Sequence, residues 1–238
     1  LVKQFVRAFS PRTKVVNITH IINWNGQILP VRKIADEARR RGIEVLVDGA
    51  HSFAHLQFAI PDLGADYFAS SLHKWLYAPI GSGMLYVKKE KIKTLYPLFA
   101  AEDPLKDDIR KFEHLGTRPF FIEQAIGKAV EFHKMIGSER KQARLQYLKN
   151  YWMEKVKDEP RVKLLTSLHP NWGCAIGMVS EAGKKSGELD SYLFNRHKIH
   201  ATTIEWENIH EVRITPNVYT TTANLDVLVE GIRAYAKS

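Results

Sequence analysis

Residues 44–87 read EVLVDGAHSFAHLQFAIPDLGADYFASSLHKWLYAPIGSGMLYV. Three apolar runs inside this stretch, 44–47, 67–70 and 83–87, are bounded by Gly, Pro or polar residues. None shows the 3.6-residue period of a helix, so each reads as a buried strand. The first run leads into Asp48 and then His51; the second leads into Ser71, His73 and Lys74. Pro79, Gly81 and Gly83 follow at once, a turn in which backbone can approach a ligand closely. Ligands of parallel α/β sheets sit at the carboxyl ends of the strands. An acid, an imidazole, a hydroxyl and an amine are therefore expected to converge on one sheet edge.

The flanking sequence extends this pattern. A further strand is expected at 14–19. A helix is expected at 31–41, with Val31, Ile34, Ala35 and Ala38 on its inner face and Gly42 as its stop. Strand–helix–strand order implies a right-handed crossover, hence an α/β fold with a mostly parallel sheet and flanking helices. The opening residues 1–14 read as the end of an amphipathic helix running into that strand. After Glu123 the style changes to helices at 123–136 and 138–157, with Ser138 as N-cap and Glu139 in the first turn. Strands at 162–166, 175–179, 200–205 and 211–215 follow, with helices at 187–197 and 223–236. We expect a cofactor-binding large domain over 1–137 and a small α+β domain over 138–238.

The chain has 238 residues, 45% hydrophobic and 26% charged, which excludes disordered, collagenous and coiled-coil classes. No apolar run reaches the roughly 18 residues of a membrane helix. One cysteine, Cys174, excludes an internal disulfide and points to a reducing, cytoplasmic setting. The net charge of +9 keeps nucleic acid among the partners to weigh. Yet the lysines of 88–93, 141–157 and 184–185 read as solvated faces without interleaved aromatics, so a basic nucleic-acid-binding module is the weaker reading. Leu1 stands where a Met or a signal peptide is absent, and the chain is expected to be a piece of a larger fold.

A lysine seated beside buried strands is costly when charged, and desolvation lowers its pKa. Such an amine is a nucleophile toward an aldehyde. Pyridoxal phosphate requires that amine together with a carboxylate at its ring nitrogen, and Asp48 lies upstream of Lys74 to supply it. Ser71 and His73 are suited to the phosphate.

Asp48-Gly-Ala-His51 followed by Ser71-x-His73-Lys74-Trp75 resembles the fold-type I enzymes of aminotransferase class V, the group of cysteine desulfurases and isopenicillin N epimerase-like proteins. Three further segments match in family order: His20-x-x-Asn23-x-x-Gly26 with Pro30, His114-x-Gly116-Thr117, and Val212-Arg213-Ile214 with Tyr219 and Asp226. The resemblance implies that Lys74 carries the imine to the cofactor aldehyde, Asp48 pairs with the ring nitrogen and His51 serves the phenolic oxygen. It places Asn23 near the ring, and Ser71, His73 and, from the other protomer of a homodimer, Gly116-Thr117 at the phosphate. Arg213 would take the carboxylate of a small amino substrate. The family's earlier phosphate-binding turn and ring-stacking residue find no match here, and four strands fall short of its seven.

Desulfurases carry a loop cysteine shortly before the segment matching Val212-Arg213, where this chain has none; Cys174 reads as a small buried hydrophobe. A persulfide-using desulfurase is therefore the weaker reading, and Gly137-Ser138-Glu139-Arg140 with Tyr219-Thr220 resembles the epimerase-like branch more closely, with a desulfurase or another lyase as the alternative. His51 and His55 are four apart but lack further ligands, so no metal is expected.

Overall fold

The apolar runs form adjacent strands in the computed structural model, which describes residues 1–99, 101–181, 183 and 185–238. β1 (Val15–Thr19), β2 (Glu44–Asp48), β3 (Tyr67–Ser71) and β4 (Gly83–Val87) make one sheet in that order. β1–β2 and β2–β3 are parallel; β3–β4 is antiparallel. The short connection between β3 and β4 has no crossover helix, which a parallel return would need. β1 and β4 occupy the two edges of this sheet.

The residues divide into two compact units. The first comprises Leu1–His20, Leu29–Ala54 and Phe58–Met135; the second comprises Ile21–Ile28, His55–Gln57 and Ile136–Ser238. In the first, α1 (Val2–Ala8) is followed by α2 (Val31–Arg39), which buries Val31, Ile34, Ala35 and Ala38, the stripe expected from spacing. Ile18, Val47 and Phe68 are fully buried, and the Phe68 ring meets Phe53 and Phe58 at centroid distances of 6.3 and 5.9 Å. Beyond α3 (Lys89–Ile92), Lys111 is buried, and its Nζ donates to the carbonyls of Ile92 and Pro104 at 2.5 and 2.9 Å, pinning the segment that leads to α4 (Phe120–Ile136).

His20, directly after β1, is buried edge-on to Phe58, and burial pulls its imidazole down to about 4. Its Nδ1 is buried with no hydrogen-bond partner among the described residues. The unfolded chain therefore binds a proton here that the folded chain refuses, between an ordinary histidine value near 6.5 and 4. Stability from this group is complete above the unfolded value and is lost as pH falls through that window. Urea titrations should show the advantage of native protein over His20→Phe shrinking by up to about 1.4 kcal/mol per pH unit between pH 6 and 5. Parallel curves would remove His20 as the cause.

The second unit contains α5 (Ser138–Val156), β5 (Val162–Leu164), β6 (Gly177–Glu181), α6 (Ser186–His197), β7 (Thr202–Trp206), β8 (Ile209–Ile214) and α7 (Thr222–Lys237). Its sheet runs β5-β6-β8-β7, antiparallel throughout. Leu148, Trp152, Met153, Val156, Leu193 and Val212 form a core with no exposure. α7 opens with a capping box between Thr221 and Asn224.

Two expectations are corrected. Gly137, at φ +85°, occupies the N-cap of α5, so Ser138 is the first helical residue. Lys141 and Lys149, expected on a solvated face, are fully buried, and burial lowers both amines to about 8. Lys149 Nζ donates to the Ser167 carbonyl, a bond that offsets part of the desolvation. Lys184 lies outside the described residues. No helix among the described residues is long and apolar enough to cross a membrane.

Candidate active site

The parallel register sets Thr19, Asp48 and Ala69 level with one another, so β1, β2 and β3 discharge at the same carboxyl edge of the first unit. Asp48 is half-buried there. Its Oδ1 accepts the Ala50 N–H at 2.9 Å, and no described group bonds Oδ2. One oxygen is thus fixed by backbone while the other stays open to a donor. The Gly49 N–H donates to the Ala69 carbonyl at 2.7 Å, and the residue lies against the Phe68 ring. A Cβ there would stand 1.8 Å from Phe68 Cζ, so only glycine passes this point.

The chain leaving β3 closes on itself: Leu72 N–H donates to the Ser82 carbonyl at 3.1 Å, and Ala78 N–H to the Leu72 carbonyl at 3.2 Å. Trp75 and Leu76 are buried and seat this loop, whereas His73 is exposed and Lys74 half-exposed. Trp75 Nε1–H points to His51 Nδ1 at 3.4 Å. That contact ties the loop bearing Lys74 to the turn behind Asp48, and it leaves the His51 proton on Nε2. Trp75 was given no role by its sequence; an aromatic residue directly after the strand-end lysine was the available signal. Tyr77, at φ +65°, stores backbone strain in the same loop.

The structure thus brings Asp48, His51, Ser71 and the Lys74 loop to one edge, with half-exposed Ser71 at the end of β3 opposite Gly83. Gly116 and Thr117 are exposed, between the turn at Ile109–Phe112 and α4. Thr117 shares no hydrogen bond with the edge residues among the described groups.

Asn23 and Arg213 belong to the second unit, where they meet. Arg213 Nη1 donates to the Asn23 carbonyl at 3.0 Å and Nη2 to Thr202 Oγ1 at 3.4 Å. It is the backbone oxygen of Asn23 that makes this contact. Burial pulls the guanidinium below its ordinary value, and no carboxylate among the described residues pairs with it. Cys174 is fully buried, and burial pushes its thiol up to about 12, far from a reactive thiolate. The buried His55 Nε2 accepts the Ala175 N–H at 3.0 Å, a structural use.

The family model for Aminotransferase class-V matches residues 2–209. The isopenicillin N epimerase of Streptomyces clavuligerus is 31% identical over 248 residues, covering 96% of this chain and 62% of that protein. Among solved structures, the apo cysteine desulfurase of Thermococcus onnurineus NA1 superposes with a TM-score of 0.86 at 21% identity, over 99% of this chain and 63% of that one. A C-DES mutant with glycine covalently linked to its PLP cofactor gives 0.82 at 20%, over 98% and 63%. The chain therefore spans a little over three-fifths of the length of these proteins.

Proposed function

Because the chain belongs to the aminotransferase class-V family, we propose that the whole protein is a pyridoxal-phosphate-dependent enzyme acting at Cα of an amino acid or related amine. The observation that carries this reading is the register that levels Asp48 with β3 while the Trp75–His51 contact holds the lysine loop beside it. The donor set fits the cofactor: a carboxylate oxygen without a partner among the described residues, an amine on a constrained loop, and a hydroxyl and an imidazole at the same strand end.

When bound, the cofactor supplies an electron sink for charge left at Cα. Lys74 Nζ would hold its aldehyde and would serve as the base for the Cα proton, a role worth about 10²–10⁴ in rate. Asp48 Oδ2 would pair with the protonated pyridine nitrogen, His51 would donate to the phenolic oxygen, and Asn23 would lie near the ring. Ser71 and His73 would hold the phosphate, joined by Gly116 and Thr117 of a second copy. Arg213, a half-buried cation with only neutral acceptors among the described residues, would take the substrate carboxylate.

The homodimer belongs to this proposal. It is supported by the exposed apolar side chains of Leu115, Phe120 and Phe121 around Thr117. A cytoplasmic setting, no nucleic-acid partner, and a division at 137/138 into a cofactor domain and a small domain complete it. Persulfide chemistry is disfavoured because the single thiol is buried and protonated.

Asp48→Asn tests the assignment in the full-length protein. A charge-assisted hydrogen bond contributes about 1.5–3 kcal/mol. Cα deuterium exchange should therefore slow by about 10- to 100-fold with cofactor still bound. Near-normal exchange would take Asp48 out of the chemistry.

A further inference from the structure

The antiparallel register pairs Thr202 with Arg213, Ile204 with Glu211 and Trp206 with Ile209, so Arg213 and Trp206 share one face of the β7–β8 hairpin. Val212 and Ile214 point to the opposite, core-forming face. The turn carrying Asn23 and Trp24 belongs to the same unit. It is fixed there by the Gly26 N–H to the Ile22 carbonyl at 2.9 Å, by Thr166 Oγ1 to the Asn25 carbonyl at 2.6 Å, and by Gly26 itself. A Cβ on Gly26 would lie 2.4 Å from the Ile176 carbonyl, and its φ is +70°. The rigid turn does two things at once. Asn23 offers its carbonyl to Arg213, and the next residue sets the Trp24 indole 6.1 Å from that of Trp206, tilted by 30°. Trp206 is 57% exposed and Trp24 half-buried.

One exposed and one half-buried indole share a face with Arg213, a half-buried cation that pairs with no carboxylate among the described residues although Glu211 stands on the same face, and together they describe a ligand with two ends. The anionic end satisfies Arg213; the other covers apolar area that costs free energy while wet. We propose that Trp24 and Trp206 form a specificity element next to Arg213, selecting carboxylate substrates that carry an aromatic or bulky apolar group over small ones. The proposal rests on Arg213 as the carboxylate ligand and adds the substrate class. The site is preorganised, since both indoles hang from a hairpin and a seated turn, so little ordering cost opposes binding.

Calorimetric titration of the full-length protein with acetate and with 3-phenylpropionate, two carboxylates without an amine, tests it free of turnover. 3-Phenylpropionate should bind at least about tenfold more tightly than acetate. Trp206→Ala, and separately Trp24→Ala, should collapse that ratio toward unity while acetate affinity stays within about twofold. Trp206→Leu serves as the milder second variant and should keep a reduced preference. An unchanged ratio in both alanine variants, or no preference in the native protein, overturns the proposal while leaving Arg213 in place. Arg213→Ala should weaken both ligands alike; unchanged affinities for both would bring down the carboxylate assignment itself and the proposal with it.

Discussion

Full-length protein with Lys74→Ala should lose its borohydride-reducible, visibly absorbing adduct and at least about 10²-fold of its activity. On the proposed reading, the substitution removes both the amine that would hold the cofactor aldehyde and the base at Cα. Lys74 is half-exposed, between exposed His73 and buried Trp75, and the loop is seated by Trp75 and Leu76. A urea titration of the variant, set beside its spectrum, separates lost chemistry from lost structure. Lys74→Arg sharpens the comparison, because a guanidinium keeps the charge but remains protonated and forms no imine. It should be as inactive as the alanine variant. Mass spectrometry of the reduced, digested native protein should find the label on the peptide containing Lys74. A label on another lysine, or a spectrum unaffected by either change, would end the lysine assignment.

The largest stability loss is expected from Trp152→Ala, about 3–5 kcal/mol. Trp152 has no exposure, and its ring fills the space above Gly177, where a Cβ would come within 2.5 Å of Cζ2. α5 and β6 close on each other through that contact, so the cavity cannot collapse without parting helix from sheet. Trp152→Phe makes a useful control. The indole Nε1 is buried with no hydrogen-bond partner among the described residues, so phenylalanine discards an unsatisfied donor together with part of the ring. It should cost far less than alanine. The check is the urea midpoint of the second unit at constant slope. Equal losses for the two variants would mean that the ring volume is not what holds the contact.

The sheet that bears the site was legible because its strands are short apolar runs bounded by Gly, Pro or polar residues and its helix has a clean stripe. The boundaries of β4 and the inward residues of α2 follow from local pattern alone. Strand direction does not, since a period of two is the same read either way; only the length of the β3–β4 connection carries it. The lysines of α5 misled for a related reason. Charge at helical spacing ordinarily marks the wet face, and a distant carbonyl such as that of Ser167 leaves no trace near Lys149. Asp48, Ser71 and Lys74 were readable as strand-end residues. The Trp75–His51 contact, and the use of Asn23 through its carbonyl, depend on pairs far apart in sequence or on main chain, which composition and spacing cannot encode.

β1 lies at the rim of its sheet with Val15 half uncovered and one flank of Val15–Thr19 unladdered among the described residues. Such a row of amides and carbonyls is completed by pairing with one more extended segment laid alongside it.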